Sequence, residues 1–478
     1  MNRFHQILVC MICAACTSWT TPTLTPDTGQ IAAPSATAKA GDAISAAGQL
    51  MVVWSPKSGE VWLRSVDAGS GQETAGKTHI HLGDSENGPA VSSLSPDGNR
   101  LAVAYGKSRI CEPYAGGSLC MGEHLTLSLV DVATWQSQEI ELPGGGWASS
   151  MVFKPDSSQL ALAYHQPDQD LLLLFDAASG ALLASLELPF AVEWIEFVLG
   201  GSDLAVVGSD PGQLAGISQP EISQVLLIDP ATLEQSWQHS LDGVLSGQWC
   251  LENCEGSPDE IRFAYYKPGI SLSPDGSQLY IVHADEEKIT RLDLKAHTSR
   301  TFQIQPQQSW LKWLLSLTAG RALAKTMPQG AIRLATSSPD GTVLYVATQR
   351  MSPDAQTPPE TTLQAIDLAS GNVISQAESR SLTWPTRLSL SPNGEQLLLI
   401  GYDEDSSRSE IYTPYLKQSG YLDGWQISPS RSPDGSPLLL GSDQGDKRTR
   451  LGLADGFFEI YHTWQTDGIA WWITPSKP

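Results

Sequence analysis

One short phrase, Ser-Pro-Asp-Gly followed by an apolar run, recurs along the sequence and limits the folds open to the chain. Copies of the phrase, some altered by one or two residues, contain Pro96, Pro155, Pro274, Pro339, Pro392 and Pro433, and a copy without proline lies at Leu199. Proline fixes its own φ angle, and Asp and Gly accept the backbone angles of a tight turn. An apolar run lies on each side of the turn, so each phrase predicts a β-hairpin.

Two further strands follow each hairpin. The third reads LSLVDVATW from Leu127 or LQAIDLASG from Leu363, and the fourth reads ALLASLEL from Ala181. No helical periodicity lies between them. Repeats at this spacing are typical of stacked or radial architectures, and four short antiparallel strands per repeat form one blade of a β-propeller. The sequence therefore predicts an all-β propeller of four-stranded antiparallel blades.

The two ends of the chain predict how the propeller closes. The strands around Met51, Glu60–Asp67 and Lys77–Leu82 have no inner strand before them, whereas Gly468–Pro475 reads as an inner strand with no blade after it. We expect these pieces to form one composite blade, because pairing them removes two exposed sheet edges. The propeller then has seven or eight blades, eight by the count of markers.

The net charge of the chain argues against nucleic acid as a partner. The chain of 478 residues has 29 Lys and Arg against 52 Asp and Glu, a net charge of −23. Binding to DNA or RNA needs clustered cationic side chains that neutralise phosphates. Docking on an anionic lipid surface through charge needs the same cations. We therefore expect no nucleic-acid partner.

The first residues indicate export. Ile7–Ala15 is apolar and ends in two alanines before Cys16. This pattern resembles a bacterial lipoprotein signal, in which that cysteine is lipidated, although Cys13 stands where leucine is usual. The resemblance implies a signal peptide over residues 1–16 and a lipoprotein of the cell envelope that contacts the membrane only through its N-terminal lipid. A plain secretory signal is the alternative.

Residues 17–47 are rich in Thr, Pro, Ser and Ala, a composition that cannot bury a core. We expect a flexible tether there, followed by the propeller domain over residues 48–478.

Cysteine usage agrees with export. The domain has two local pairs, Cys111 with Cys120 and Cys250 with Cys254. No histidine accompanies them at the spacing of a zinc site, whereas disulfides are usual in an oxidising compartment. We expect two disulfides and no bound metal.

Four aromatic residues share one position in the repeat, eight residues before the marker: Trp147, Tyr266, Trp384 and Trp425. At this position the chain begins an inner strand, so the four should lie at one rim of the central channel. Arg380 and Arg387 flank Trp384 and add positive charge. Such a rim suits a protein, peptide or glycan ligand. Alternatively, the rings pack between neighbouring blades.

Catalytic motifs are absent from the sequence, which has no Gly-x-Ser-x-Gly elbow, no His-Glu-x-x-His and no P-loop. The markers, with Gly88-Pro89 and Trp384-Pro385 ahead of two of them, resemble the bacterial WD40-like propellers of the YVTN and TolB type over roughly residues 51–475. That resemblance implies an interaction scaffold or an enzyme of the lactonase or amine-dehydrogenase type. Inner strands that begin with Trp, Tyr or Gly favour a non-enzymatic binding or scaffold module without a cofactor.

Overall fold

The structure, a computed structural model, describes residues 49–473 with internal gaps. The gaps are residues 56–59, 68–78, 85–88, 107–108, 115–116, 123–124, 143, 167–168, 211–220, 253–261, 306–329, 351–358, 380–381, 383, 392–393, 404–405, 432–436, 444–447, 455–459 and 468. Side chains are described for most positions between 81 and 427. The predicted signal peptide and tether, Cys254 and Arg380 lie outside the described residues.

Blades 1 to 4 follow the predicted order, in which each strand pairs antiparallel with the next. Blade 1 contains β1 (Gln49–Ser55), β2 (Glu60–Asp67), β3 (His79–Asp84) and, as its inner strand, the last strand of the chain, β35 (Ile469–Ile473). Blade 2 contains β4 (Pro89–Leu94), β5 (Arg100–Gly106), β8 (Leu125–Asp131) and β9 (Gln136–Glu141), with an inserted hairpin of β6 (Arg109–Tyr114) and β7 (Gly117–Gly122). Blade 3 contains β10 (Trp147–Phe153), β11 (Gln159–His165), β12 (Asp170–Asp176) and β13 (Leu182–Leu188). Blade 4 contains β14 (Ala191–Val198), a short 3-10 turn (Leu199–Gly201), β15 (Asp203–Asp210), β16 (Glu221–Ile228), β17 (Gln235–Glu252) and a fifth strand, β18 (Arg262–Tyr266).

Blades 5 to 8 have the same order. Blade 5 contains β19 (Gly269–Leu272), β20 (Gln278–Val282), β21 (Lys288–Asp293) and β22 (Thr298–Gln303). Blade 6 contains β23 (Ala331–Ser337), β24 (Val343–Arg350), β25 (Glu360–Asp367) and β26 (Val373–Ser379). Blade 7 contains β27 (Trp384–Leu390), β28 (Leu397–Asp403), β29 (Ser406–Tyr412) and β30 (Gln418–Asp423). Blade 8 contains β31 (Gln426–Arg431), β32 (Pro437–Asp443), β33 (Arg448–Ala454) and β34 (Ile460–Asp467).

The first and last strands close the ring. β35 pairs antiparallel with β1, with Ile473 opposite Met51 and Ile469 opposite Ser55. The predicted composite blade is therefore confirmed, and the described residues form the eight blades that the marker count predicts.

The core lies between neighbouring blades. Between blades 2 and 3, for example, Leu127 and Leu129 pack in one cluster with Leu162 and Phe175. The second and third strands of a blade are covered on both faces, which is why runs such as LAVAY are apolar at every position rather than alternating. Each fully buried leucine contributes about 1.5–3 kcal/mol.

The repeated turns are held by their own side chains, as blade 5 shows. The Ser273 hydroxyl donates to Asp275 Oδ1 at 2.6 Å and accepts from the N–H of Gln278 at 2.9 Å. Gly276 has a φ of +68°, an angle that glycine adopts without strain. Blade 3 has Ser157 in the place of this glycine, at a φ of +60°.

All inner strands run in the same direction around the channel, so the ring has two unlike ends. We call the end that holds the Ser-Pro-Asp-Gly turns, such as residues 273–276 and 338–341, the turn rim. We call the opposite end, where inner strands such as β10 and β27 begin, the loop rim.

Candidate functional site

Two of the predicted aromatic residues present their rings at the loop rim. Trp147 and Trp384 are the first residues of β10 and β27. Trp384 is 37% exposed. Trp147 is half-buried, and its ring stacks on the His165 imidazole with centroids 4.9 Å apart and an interplanar angle of 11°. Both rings therefore offer aromatic surface to a ligand.

The other two aromatic residues do not begin inner strands and are packed between blades: Tyr266 ends β18, and Trp425 directly precedes β31. Tyr266 is 1% exposed and lies in a cluster with Ala284. Trp425 is 8% exposed and packs with Ile400 between blades 7 and 8. Their burial corresponds to the alternative in which the rings pack between blades. Ligand binding at the rim stays a prediction, and its accessible aromatic surface comes from Trp147 and Trp384.

The guanidinium of Arg387 contributes to packing as well as to charge. Arg387 is half-buried, and its Nη2 donates to the backbone carbonyl of Ile427, which joins blade 7 to blade 8. Arg380, the other predicted cation of this rim, lies outside the described residues.

Near their first residues, several inner strands contain a bulge that turns one extra side chain out of the ladder. The bulged residue is Ala90, Ser149, Glu193 or Thr386 in blades 2, 3, 4 and 7. Because the extra residue has no partner directly opposite it, different blades can carry different side chains there without disturbing the sheet.

In blade 3 the bulge completes a chain of hydrogen bonds. The Ser149 hydroxyl lies 2.6 Å from His165 Nε2, and His165 Nδ1 lies 2.5 Å from Asp170 Oδ1. A carboxylate only accepts, so Nδ1 donates to Asp170, and in the tautomer with its proton on Nδ1 the Nε2 atom accepts from the Ser149 hydroxyl. His165 is 4% exposed and the Asp170 side chain 15% exposed.

In blade 4 the equivalent position holds a carboxylate. Glu193 Oε1 accepts from the Ser209 hydroxyl at 3.0 Å and from the Ser246 hydroxyl. The hydrogen bonds among these three side chains satisfy their polar groups, so the network is accounted for as a structural contact.

In blade 6 a buried arginine lies near the start of β23. Arg333 is 2% exposed, and its Nη2 donates to Glu287 Oε1 at 3.0 Å, an oxygen that also accepts from Arg350 at 2.8 Å. Burial lowers the pKa of Arg333, and Glu287 opposes that shift. Among the described residues, Nε and Nη1 of Arg333 have no hydrogen-bond partner.

Glu196 is an unusual inner-strand residue. It lies on β14, where the equivalent residue is Ser271 in blade 5 and Thr336 in blade 6. Burial raises its pKa to about 7, and a hydrogen bond from the N–H of Phe197 opposes the shift only in part.

Within the described ranges, no group of three or more His, Cys, Asp or Glu is placed to hold a metal ion. A helix long and apolar enough to span a membrane is likewise not found in that part of the chain.

The backbone places the first cysteine pair in register. Cys111 on β6 is directly opposite Cys120 on β7. Cys250 lies on β17, and its predicted partner Cys254 lies outside the described residues. Both disulfides stay predictions.

The polar residues of the loop rim were not predicted from the sequence. Ser149, His165 and Asp170 come from three strands, so no local motif links them. The available signal was the position in the repeat: His165 is the last residue of β11 and Ser209 the penultimate residue of β15, so both lie at the loop-rim end of a second strand. Aligning the repeats by their markers would have shown that polar residues recur there.

Comparison with known proteins supports the fold. The chain matches no model of a protein family and none of the curated proteins searched. It is similar in structure to the dihydro-heme d1 dehydrogenase NirN, solved in complex with DHE, with a TM-score of 0.54, 12% identity, and coverage of 90% of this chain and 76% of that one.

Two other solved structures have lower scores. Hydrazine synthase of Kuenenia stuttgartiensis has a TM-score of 0.47 at 13% identity, with coverage of 78% of this chain and 96% of that one. A eukaryotic initiation factor has a TM-score of 0.45 at 13% identity, with coverage of 90% and 91%. At these identities the similarity concerns the fold alone: the protein is a β-propeller.

Proposed function

We propose that this protein is a lipid-anchored, extracytoplasmic propeller of the bacterial WD40-like, YVTN and TolB type that binds a protein, peptide or glycan at its loop rim. The observation that carries the proposal is the accessible aromatic surface of Trp147 and Trp384 at the rim where the blades differ from one another.

The chemistry of the rim fits such a ligand. Aromatic rings bind sugar faces and peptide side chains through apolar contact while their edges remain beside polar groups. Ser149 lies close by at the bulge of β10, where its hydroxyl oxygen can orient a ligand. The net charge of −23 disfavours nucleic acid.

The location rests on the sequence. The two alanines before Cys16 support lipidation of that cysteine, and residues 17–47 would hold the propeller away from the membrane. The register of Cys111 with Cys120 is compatible with a disulfide formed in an oxidising compartment.

The binding proposal is tested with the full chain purified in detergent and immobilised. Solubilised envelope of the producing cell is passed over the parent and over a Trp147→Ala, Trp384→Ala double variant. Tyr415→Ala is the matched control, because Tyr415 is 81% exposed on the turn between β29 and β30, at the opposite rim. The retained proteins and glycans are identified, and each affinity is then measured with the isolated component.

The proposal expects a defined component that the parent and Tyr415→Ala bind alike. The double variant should bind it at least about 30-fold more weakly, the effect of an aromatic hot spot of about 2 kcal/mol. Equal binding by all three proteins would overturn the role of this rim.

The location has its own test. In a detergent-partitioning assay, Cys16→Ser should move the protein from the detergent phase to the aqueous phase. A variant that partitions as the parent does would contradict the lipid anchor.

Peptide mapping without reductant should recover Cys111 linked to Cys120, and free thiols there would contradict export.

A further inference from the structure

We infer from the geometry that Ser149, His165 and Asp170 form a nucleophilic triad that hydrolyses carboxylic esters at the loop rim. The inference goes beyond ligand binding, because it assigns a reaction to the blade 3 network. Nucleophile, base and orienting carboxylate follow in the order that acyl transfer requires, with Ser149 Oγ 2.6 Å from His165 Nε2 and Asp170 Oδ1 2.5 Å from Nδ1. Such triads are recognised by geometry and not by sequence order.

The strand register builds this arrangement. His165 ends β11 and is directly opposite Asp170, which begins β12. The four-residue connection between them is closed by a hydrogen bond from the Gln166 N–H to the Gln169 carbonyl at 2.8 Å. On the other side, the bulge in β10 brings Ser149 to the imidazole.

The propeller does not require these residues. In blade 4 the bulge position holds Glu193, and Ser209, the penultimate residue of the second strand, stands in place of the histidine. Blade 7 has Thr386 and Tyr402 at the same two positions. The fold therefore accepts several combinations of polar side chains at these two positions. Of blades 3, 4 and 7, only blade 3 has a nucleophile, a base and a carboxylate joined by successive hydrogen bonds.

Ser149 is placed to meet a substrate. It is half-buried at the loop rim and lies two residues from Trp147, whose accessible ring could hold an apolar or sugar group of the ester. The stacked Trp147 ring covers one face of the His165 imidazole, which limits its motion and its contact with water. The base is thus held in one orientation, as catalysis by proton transfer requires.

The preceding loop brings backbone donors to the same rim. Tyr164 Oη donates to the carbonyl of Gly144 at 2.9 Å. The C=O and N–H of a trans peptide point in opposite directions, so the N–H of Gly145 points away from Tyr164. Gly146 has no room for a side chain, because a Cβ would lie 2.1 Å from the carbonyl oxygen of His165. Gly146 therefore lets the loop pass close to the backbone of His165.

The reaction balances with water as the only co-reactant. Ser149 Oγ attacks the ester carbonyl carbon, and its proton passes to His165 Nε2. The bond from carbon to the alcohol oxygen breaks, and that oxygen takes the proton from Nε2. Water then attacks the acyl-serine and gives its proton to Nε2, which returns it to Ser149 Oγ as the carboxylic acid leaves. Asp170 positions the imidazole and stabilises its protonated form.

The test uses a fluorophosphonate probe, which reacts covalently with an activated serine, on the purified full chain. We expect labelling of the parent at Ser149, located by peptide mapping, and none in Ser149→Ala. Ser209→Ala is the matched control, because it removes the equivalent hydroxyl contact in blade 4 and should be labelled as the parent is. Melting curves verify that each variant is folded.

A second variant separates catalysis from packing. Asp170→Asn should slow labelling and the hydrolysis of p-nitrophenyl acetate by on the order of 10²–10⁴-fold, because the imidazole loses its orienting acceptor. A folded parent that the probe does not label, or labels at a residue other than Ser149, overturns the inference and leaves the network as a structural contact. Neither outcome depends on which ligand Trp147 and Trp384 bind at the loop rim.

Discussion

The two rims of the propeller differ in how much their blades vary. At the turn rim the same contacts recur: the hydroxyls of Ser95, Ser273 and Ser338 donate to Asp97, Asp275 and Asp340 at 2.5–2.6 Å. At the loop rim the equivalent positions hold Ser149, Glu193 and Thr386, each with different partners.

The contacts that stabilise each hairpin therefore lie at one end of the ring, and the side chains that vary between blades lie at the other. Every blade needs its hairpin turn, so a turn that works is repeated. The bulged start of an inner strand lies outside the ladder and accepts many side chains. Variation at the loop rim therefore costs the fold little, and functional groups can collect there.

Both rims depend on a closed ring, so opening the ring should have the largest effect on stability. Deleting residues 468–478 removes β35, which pairs with five residues of β1. At a net contribution of about 1 kcal/mol for each backbone hydrogen bond, we expect a loss of about 5 kcal/mol and aggregation through the exposed edge of β1. Thermal unfolding and light scattering measure both. A melting temperature within a degree or two of the parent's would mean that the blades hold together without closure.

Replacing Glu196, a carboxyl at a position where blades 5 and 6 have Ser and Thr, should have the next largest effect on stability. The pKa of Glu196 is about 7 in the folded protein against an ordinary 4.5. The folded state therefore holds a proton that the unfolded state has lost, and stability falls as the pH rises from about 4.5 to about 7. Glu196→Gln should raise the free energy of unfolding at pH 8 by up to about 3 kcal/mol and leave it unchanged at pH 4.

Denaturant unfolding at the two pH values checks this, with Glu187→Gln as the control, because Glu187 lies on the exposed outer strand β13. A gain that is the same at pH 4 and pH 8 would show that packing, not the buried charge, makes Glu196 unfavourable.

Substitutions at the turn rim should have the smallest effects on stability, and these effects should be equal from blade to blade. The hydroxyls of Ser273 and Ser277 lower the pKa of Asp275 to about 2, and equivalent contacts from Ser338 and Thr342 lower the pKa of Asp340. A lowered pKa stabilises the folded state above the ordinary value of 3.8, and this contribution disappears as the pH falls towards about 2.

We therefore expect Asp275→Asn and Asp340→Asn to weaken acid resistance to the same small extent, measured as the midpoint of acid unfolding. Carboxyl titration by NMR should show the Asp275 pKa rising in Ser273→Ala. Unequal effects of the two Asn variants would contradict the equivalence of the turns.

The fold was predictable because its signal is local and repeated. The turn around Pro274 needs Ser, Asp and Gly within four residues, and these contacts form within one hairpin. Closure of the ring was predictable as well, since Gly468–Pro475 and the first three strands each lacked a partner. The exposure of the aromatic residues was not predictable: Trp384 is accessible and Trp425 is buried, although both precede their markers by the same distance.

From the sequence alone follow the class of fold, a count of seven or eight blades and the way the ring closes, because each depends on contacts within a hairpin or on the pairing of unmatched strands. Which side chains meet at the loop rim depends on tertiary contacts. Ser149, His165 and Asp170 lie on three strands and come together through a bulge and two registers. The exposure of each rim aromatic depends on the neighbouring blade, which the residues around it in sequence do not specify.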